Sequence, residues 1–180
     1  MHIVDHWLSP ATRRVSPNAD LRPDPRDISL IVLHCISLPP GEFGSDAIDR
    51  LFTNRLEAEE HPYFAAIHEL KVSAHVLIRR DGEIVQYVPF DGRAWHAGLS
   101  SFRGRPCCND FSIGIELEGT EQAGFEEVQY LRLNRLVEVL LDTYPGLALD
   151  GIVAHSELAP ARKGDPGPHF DWARLKPRVP

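Results

Sequence analysis

One mixed α/β domain, with helices flanking a single central sheet, is the fold class this sequence predicts, and three segments carry the prediction. Ile28 to Cys35 is a continuous run rich in β-branched residues, the pattern of a central strand covered on both faces. Ala74 to Arg79 and Glu83 to Val88 flank Asp81-Gly82, a dipeptide that favours a tight hairpin turn. Leu133, Leu136, Val137, Leu140, Leu141 and Tyr144 recur at helical spacing and mark a long amphipathic helix.

The remaining elements follow in chain order. Residues 1–27 carry Pro10, Pro17, Pro23 and Pro25 and read as an irregular arm packed over the domain of residues 28–180, with little regular structure of its own. After Pro39-Pro40-Gly41 breaks the chain, Ser45 or Asp46 can cap a helix that places Ile48, Leu51 and Phe52 on one side. Pro62 suits the first turn of a second short helix, with Phe64, Ile67 and Leu70 as its apolar face. From Phe111 to Glu118 the chain alternates: Phe111, Ile113, Ile115 and Leu117 point one way, and Ser112, Gly114, Glu116 and Glu118 the other. Gly151 to His155 is a further short strand ending in histidine, and Asp171 can cap a last short helix through Trp172 and Leu175.

Composition narrows the function classes. A chain of 180 residues, 43% hydrophobic and 25% charged, has the make-up of a soluble globular domain with a sizeable core. A net charge of -7 without a basic cluster argues against a nucleic-acid partner, because phosphate backbones need a basic face. No apolar run approaches the roughly 20 residues that span a bilayer, and the start of the chain lacks a basic and apolar secretory pattern. Cys35, Cys107 and Cys108 are odd in number and two are adjacent, so no disulfide framework is expected. Reduced thiols suit the cytoplasm, and a monomer free of membrane contacts is the expectation.

The chemistry concentrates in His155 to Pro168. His34 and His155 each sit where a strand runs into a loop, the place where rigid scaffolds display binding groups. Taken singly, a histidine is more often a surface or satisfied buried residue, and His2, His6 and His61 are read that way. Asp165, in Lys163-Gly164-Asp165-Pro166-Gly167-Pro168, is either a turn aspartate before proline or a carboxylate ligand on a stiffened loop. Two imidazoles and one carboxylate make a three-ligand set for a divalent metal with one position open, as a hydrolytic zinc site requires. The same set also serves non-haem iron. Glu116 is either solvent-facing or a general base; Gly114 beside it leaves that face open, and Glu118 offers a second acid in the same role. Lys163 is either a surface lysine or a stabiliser of a developing oxyanion. Cys35 next to His34 raises a nucleophile–base pair, but neighbours on a strand point to opposite faces.

Longer stretches resemble a known family. They are Ser37-Leu38-Pro39-Pro40-Gly41-Glu42-Phe43-Gly44, Val72-Ser73-Ala74-His75, the run from Ile78 to Phe90, Ala94-Trp95-His96-Ala97-Gly98, the run from Asn109 to Thr120, and Lys163 to Pro168. In this order they are similar to the zinc-dependent N-acetylmuramoyl-L-alanine amidases, related to phage-type amidases and peptidoglycan recognition proteins. The likeness is strongest to the cytosolic branch that acts on 1,6-anhydro-muropeptides during cell-wall recycling. The resemblance implies a mixed sheet flanked by helices, one zinc ion held by His34, His155 and Asp165, and catalytic positions for Glu116 and Lys163. It implies a muropeptide substrate, cut between the lactyl group of N-acetylmuramic acid and L-alanine, with Trp95, His96, Lys71, Arg105 and Asn109 at the substrate groove. A non-catalytic peptidoglycan-fragment receptor on the same fold is the alternative. Cys35 stands where asparagine is usual, while Cys107 and Lys71 stand where arginine is usual. Lysine lacks the two-point fork of arginine, so weaker recognition of the peptide stem is expected.

Overall fold

The computed structural model describes residues 1–177, so the last three residues of the expected domain lie outside the described residues. The arm is more regular than its prolines suggest. β1 (His2–Val4) and β2 (Trp7–Ser9) form an antiparallel hairpin, β3 (Thr12–Arg13) joins the main sheet, and β4 (Ala19–Leu21) pairs with a strand far along the chain. Strands of two or three residues show no periodicity; β1 and β2 pair with each other, and β3 and β4 exist because distant partners supply their hydrogen bonds. Gln86 is one such partner: its Oε1 accepts from Leu8 N at 2.6 Å, and its backbone oxygen accepts from Arg14 N at 3.0 Å.

β5 (Leu30–Ile36) is the buried strand expected from its composition, followed by α1 (Ala47–Phe52) and α2 (Pro62–Ile67). Ser45, rather than Asp46, supplies the cap of α1: its hydroxyl accepts from Ala47 N at 3.2 Å. His61 caps α2 by accepting from Tyr63 N, and Leu70 lies beyond that helix and is exposed. β6 (Val76–Ile78) and β7 (Ile84–Gln86) form the expected antiparallel hairpin. β8 (Gly92–Ala94) receives β4, and β9 (Ser101–Phe102) pairs with β10 (Arg105–Pro106). β11 (Ser112–Glu118), α3 (Glu127–Thr143), β12 (Ile152–Ala154) and the single-turn helix α4 (His155–Leu158) complete the domain. A one-turn 3-10 helix, Trp172–Arg174, is capped by Asp171 as expected.

The main sheet has the order β12-β5-β11-β6-β7-β3. β12, β5, β11 and β6 run parallel, which places their carboxyl ends along one edge. α3 begins two turns before its apolar stripe because a polar capping box, Glu126 with Gln129, starts it. Buried Gln129 also ties the helix to the sheet, donating to the backbone oxygens of Ile78 and Glu118. Leu133, Leu136, Val137 and Leu140 of α3 share one core with Ile31, Leu33, Ile113, Ile115 and Leu117. Each such fully buried side chain contributes about 1.5–3 kcal/mol relative to exposure. Two smaller cores occupy the other face. One gathers α1 and α2 with Leu77, Val85 and Tyr87; the other joins Leu30, Val32, Phe111, Val153 and Leu158.

Candidate metal centre

Strand register assembles the site. His34 of β5 stands level with Glu116 of the parallel strand β11, so both side chains leave the same face of the sheet. β12 runs beside β5 with Ala154 level with Leu33, and the chain turns into α4 at His155, which therefore begins a helix rather than ending a strand. Ser156 N donates to the backbone oxygen of Asp165 at 3.0 Å and brings the Lys163–Pro168 loop back onto this turn. Gly167, at a φ of +88°, lies so close to the 119–122 loop that a Cβ would sit 2.6 Å from Glu121 Cα. Only glycine fits there, in conformation and in space.

His34 Nδ1, His155 Nδ1 and Asp165 Oδ2 converge, with separations of 2.9 Å between the nitrogens and 3.0 Å from each to the oxygen. Ligands held at about 2.0–2.1 Å by one tetrahedral ion are roughly 3.3 Å apart, so the cluster needs only a few tenths of an ångström to accept a metal. All three are buried, and no other group of histidine, cysteine, aspartate or glutamate with metal-holding geometry occurs among the described residues. Burial, working against the pull of Asp165, lowers His34 to about 4 and keeps it in the neutral form a metal ligand requires.

The cluster lies at the floor of a cleft of about 500 Å³. Glu116 and Lys163 also line the cleft, and Leu38, Leu51, Phe52, Tyr63, Ile67 and Val72 provide an apolar wall. Glu116 is buried, and its Oε2 has no hydrogen-bond partner. Burial, reinforced by the charge of Asp165, raises its carboxyl well above the ordinary range. Such a group is poised to exchange a proton with whatever enters the cleft. Lys163 is exposed at the cleft, where its charge opposes that rise.

Three expectations about this face are corrected. The polar side of β11 does not meet solvent, since every residue of the strand is buried. Glu118 is not available as a base: its carboxylate accepts from Gly44 N at 2.6 Å and Arg80 N at 3.1 Å, with Arg79 at 3.6 Å. The space beside Gly114 is not open either. The His96 ring fills it, and a Cβ there would sit 2.5 Å from the ring. Burial and the nearby carboxylates Glu116 and Asp165 raise the Cys35 thiol far above its usual range, so it is a poor nucleophile.

Of the five side chains expected at the groove, His96 lines the cleft. The other four stand elsewhere. Asn109 lies beneath it, its Oδ1 accepting from His96 N at 3.2 Å and Ala97 N at 2.8 Å. Arg105 is paired with Asp27 and lies 3.7 Å over the Phe111 ring. Trp95 is half-buried near Asp20, and Lys71 is exposed outside the cleft lining. The apolar wall is not legible in sequence because Ile67 and the pair Leu51 and Phe52 read as faces of two separate helices, and Tyr63 belongs to neither face.

Comparison with known proteins gives concordant findings. The family model for N-acetylmuramoyl-L-alanine amidase matches residues 24–168. The 1,6-anhydro-N-acetylmuramyl-L-alanine amidase AmpD of Citrobacter freundii is 56% identical over 99% of this chain and 95% of its own. A crystal structure of a selenomethionine AmpD derivative superposes with a TM-score of 0.95 at 56% identity, covering 97% of each chain. AmiD of Escherichia coli, in complex with anhydro-N-acetylmuramic acid-L-Ala-D-γ-Glu-L-Lys, superposes with a TM-score of 0.59 at 29% identity. That match covers 94% of this chain and 59% of the longer AmiD chain.

Proposed function

This chain belongs to the N-acetylmuramoyl-L-alanine amidase family, and from that premise we propose that it is a zinc-dependent hydrolase of 1,6-anhydro-muropeptides in cell-wall recycling. The bond cut is the amide between the lactyl group of anhydro-N-acetylmuramic acid and L-alanine. The carrying observation is the unpartnered Glu116 Oε2, buried in the same cleft as His34, His155 and Asp165.

His34, His155 and Asp165 would hold the metal. A bound zinc ion supplies Lewis acidity towards a carbonyl oxygen and lowers the pKa of water to about 7. Glu116 Oε2 accepts a proton from the attacking water as it adds to the lactyl carbonyl, and returns that proton to the leaving amine of L-alanine. Its raised affinity for the proton makes it able to carry one between the two steps. The Lys163 ammonium stabilises negative charge on the former carbonyl oxygen. The apolar wall around Tyr63 and Ile67 excludes water from one side of the bound substrate, which strengthens both electrostatic contributions. The three cysteines are free, which suits a cytoplasmic enzyme.

Incubation with defined anhydro- and ordinary muropeptides, with and without chelator, tests this reading. Release of a peptide with a free L-alanine amino terminus, lost with chelator and restored by zinc, is expected. Intact substrate in the presence of bound zinc would leave only a fragment-binding role, and stoichiometric iron in the purified protein would replace zinc.

A further inference from the structure

We infer that the Trp95–Gly98 segment is the template that turns both histidine ligands towards the metal, with His96, Ser112 and Asn109 as positioning residues. The inference rests on the metal-site reading above and follows from counting protons. A carbonyl oxygen can only accept, so the Ser112 hydroxyl spends its one proton on the backbone oxygen of Cys108, at 2.6 Å. At 3.1 Å from His96 Nε2 it must therefore accept, and Nε2 carries the proton. A neutral imidazole has one donor and one acceptor, which leaves a lone pair on His96 Nδ1. That lone pair faces His34 Nε2 at 2.9 Å, so His34 donates from Nε2 and keeps its Nδ1 lone pair towards Asp165.

The next residue does the same for the second ligand. The backbone oxygen of Ala97 accepts from His155 Nε2 at 3.2 Å, which leaves the His155 Nδ1 lone pair towards Asp165 as well. Three lone-pair groups thus meet with no proton between them, an arrangement a cation satisfies. The template is held from both sides. Asn109 Oδ1 accepts from the His96 and Ala97 amides, and Arg162 Nη2 donates to the backbone oxygen of Ala97 at 2.8 Å. Gly114 admits the His96 ring where any side chain would expel it. His96, at the cleft, and Asn109 in this way support the metal ligands, a kind of support that tunes metal affinity.

The test uses the full chain and reads metal binding, not turnover. Zinc affinity is measured by competition with a chromophoric chelator, and imidazole tautomers by ¹⁵N NMR of the metal-free chain. In the wild type, His34 and His155 are expected as Nε2–H tautomers before metal is added. His96→Phe, which keeps a ring and loses the acceptor, is expected to weaken zinc binding by about 10–100-fold, and His96→Gln to recover most of that loss. Ser112→Ala frees the His96 proton, so His34 is expected to populate both tautomers, with a smaller loss of affinity. Wild-type zinc affinity in His96→Phe, or an Nδ1–H tautomer of His34 in the metal-free wild type, overturns the inference. Should His96→Phe not fold, the wild-type and Ser112→Ala spectra still decide it. Absence of zinc binding by the wild type itself would instead sink the metal-site reading.

Discussion

On one face of β11, Ile113, Ile115 and Leu117 share a core with Leu133, Leu136 and Val137 of α3; on the other, Ser112, Gly114, Glu116 and Glu118 meet loops, a histidine ring and a cleft. The two faces are buried alike, and the strand backbone is common to both. They differ in how completely their groups are satisfied. The apolar face has only dispersion and desolvation to satisfy, and α3 does so along its length. On the polar face Ser112 has two partners, Gly114 is filled by His96, and Glu118 has two amides and an arginine. Glu116 alone of these keeps an oxygen with no partner. Buried polar atoms without partners are rare in native proteins because each costs about 1–3 kcal/mol. The chemistry is therefore located where the hydrogen-bond accounting of this face is left open for a ligand.

The sharpest way to separate the faces is to change one atom of Glu116. Glu116→Gln preserves size and abolishes the base, so a loss of about 10²–10⁴ in kcat is expected, at unchanged zinc content and with no loss of thermal stability. Lys163→Ala should cost about 10²–10³ in kcat, again without unfolding the chain. Steady-state rates on anhydro-muropeptide, paired with metal analysis, check both, and near wild-type turnover would remove either residue from the reaction. Ile115→Ala reverses the pattern. One position away on the same strand, it should destabilise the domain by about 2–5 kcal/mol in urea unfolding, while turnover per folded molecule stays unchanged. A large fall in kcat from Ile115→Ala at full folding would show that the two faces are coupled.

Glu118→Ala is the intermediate case. It lies on the chemical face but is engaged as a structural acid, so its removal strands the Gly44 and Arg80 amides. A loss of about 1–3 kcal/mol with kcat retained is expected from unfolding and rate measurements on the same sample.

Much of this contrast was legible in sequence. The alternation from Phe111 to Glu118, the apolar run into His34 and the α3 stripe are local patterns, and they gave the sheet, the helix and the strand carrying Glu116. Alternation could not tell Glu116 from Glu118, because both point the same way; what each meets depends on loops 40–44 and 163–167. The roles of His96 and Asn109 were illegible for the same reason. His96 is recognisable as a support only once register puts Gly114 beneath its ring and His34 before its Nδ1. Strands β1 to β4 escaped because two or three residues carry no period, and the partners of β3 and β4 lie far away in the chain.

The smallest effect is also the most direct measure of how the polar face differs from the apolar one. In the metal-free chain, burial and the charge of Asp165 hold the Glu116 carboxyl well above the ordinary value of 4.5. The unfolded chain releases this proton near that ordinary value while the folded chain keeps it. Between pH 4.5 and the raised folded value, the folded state therefore binds more protons, and stability falls as pH rises. The slope reaches at most about 1.4 kcal/mol per pH unit. Glu116→Gln has no proton to hold, and every other titrating group is common to both chains. The difference in melting temperature, Gln variant minus wild type, should thus be near zero at pH 4.5 and grow as pH rises, in chelator-treated samples. Parallel curves would mean that Glu116 is solvated like a surface acid, and that the open oxygen at the centre of this face has found a partner.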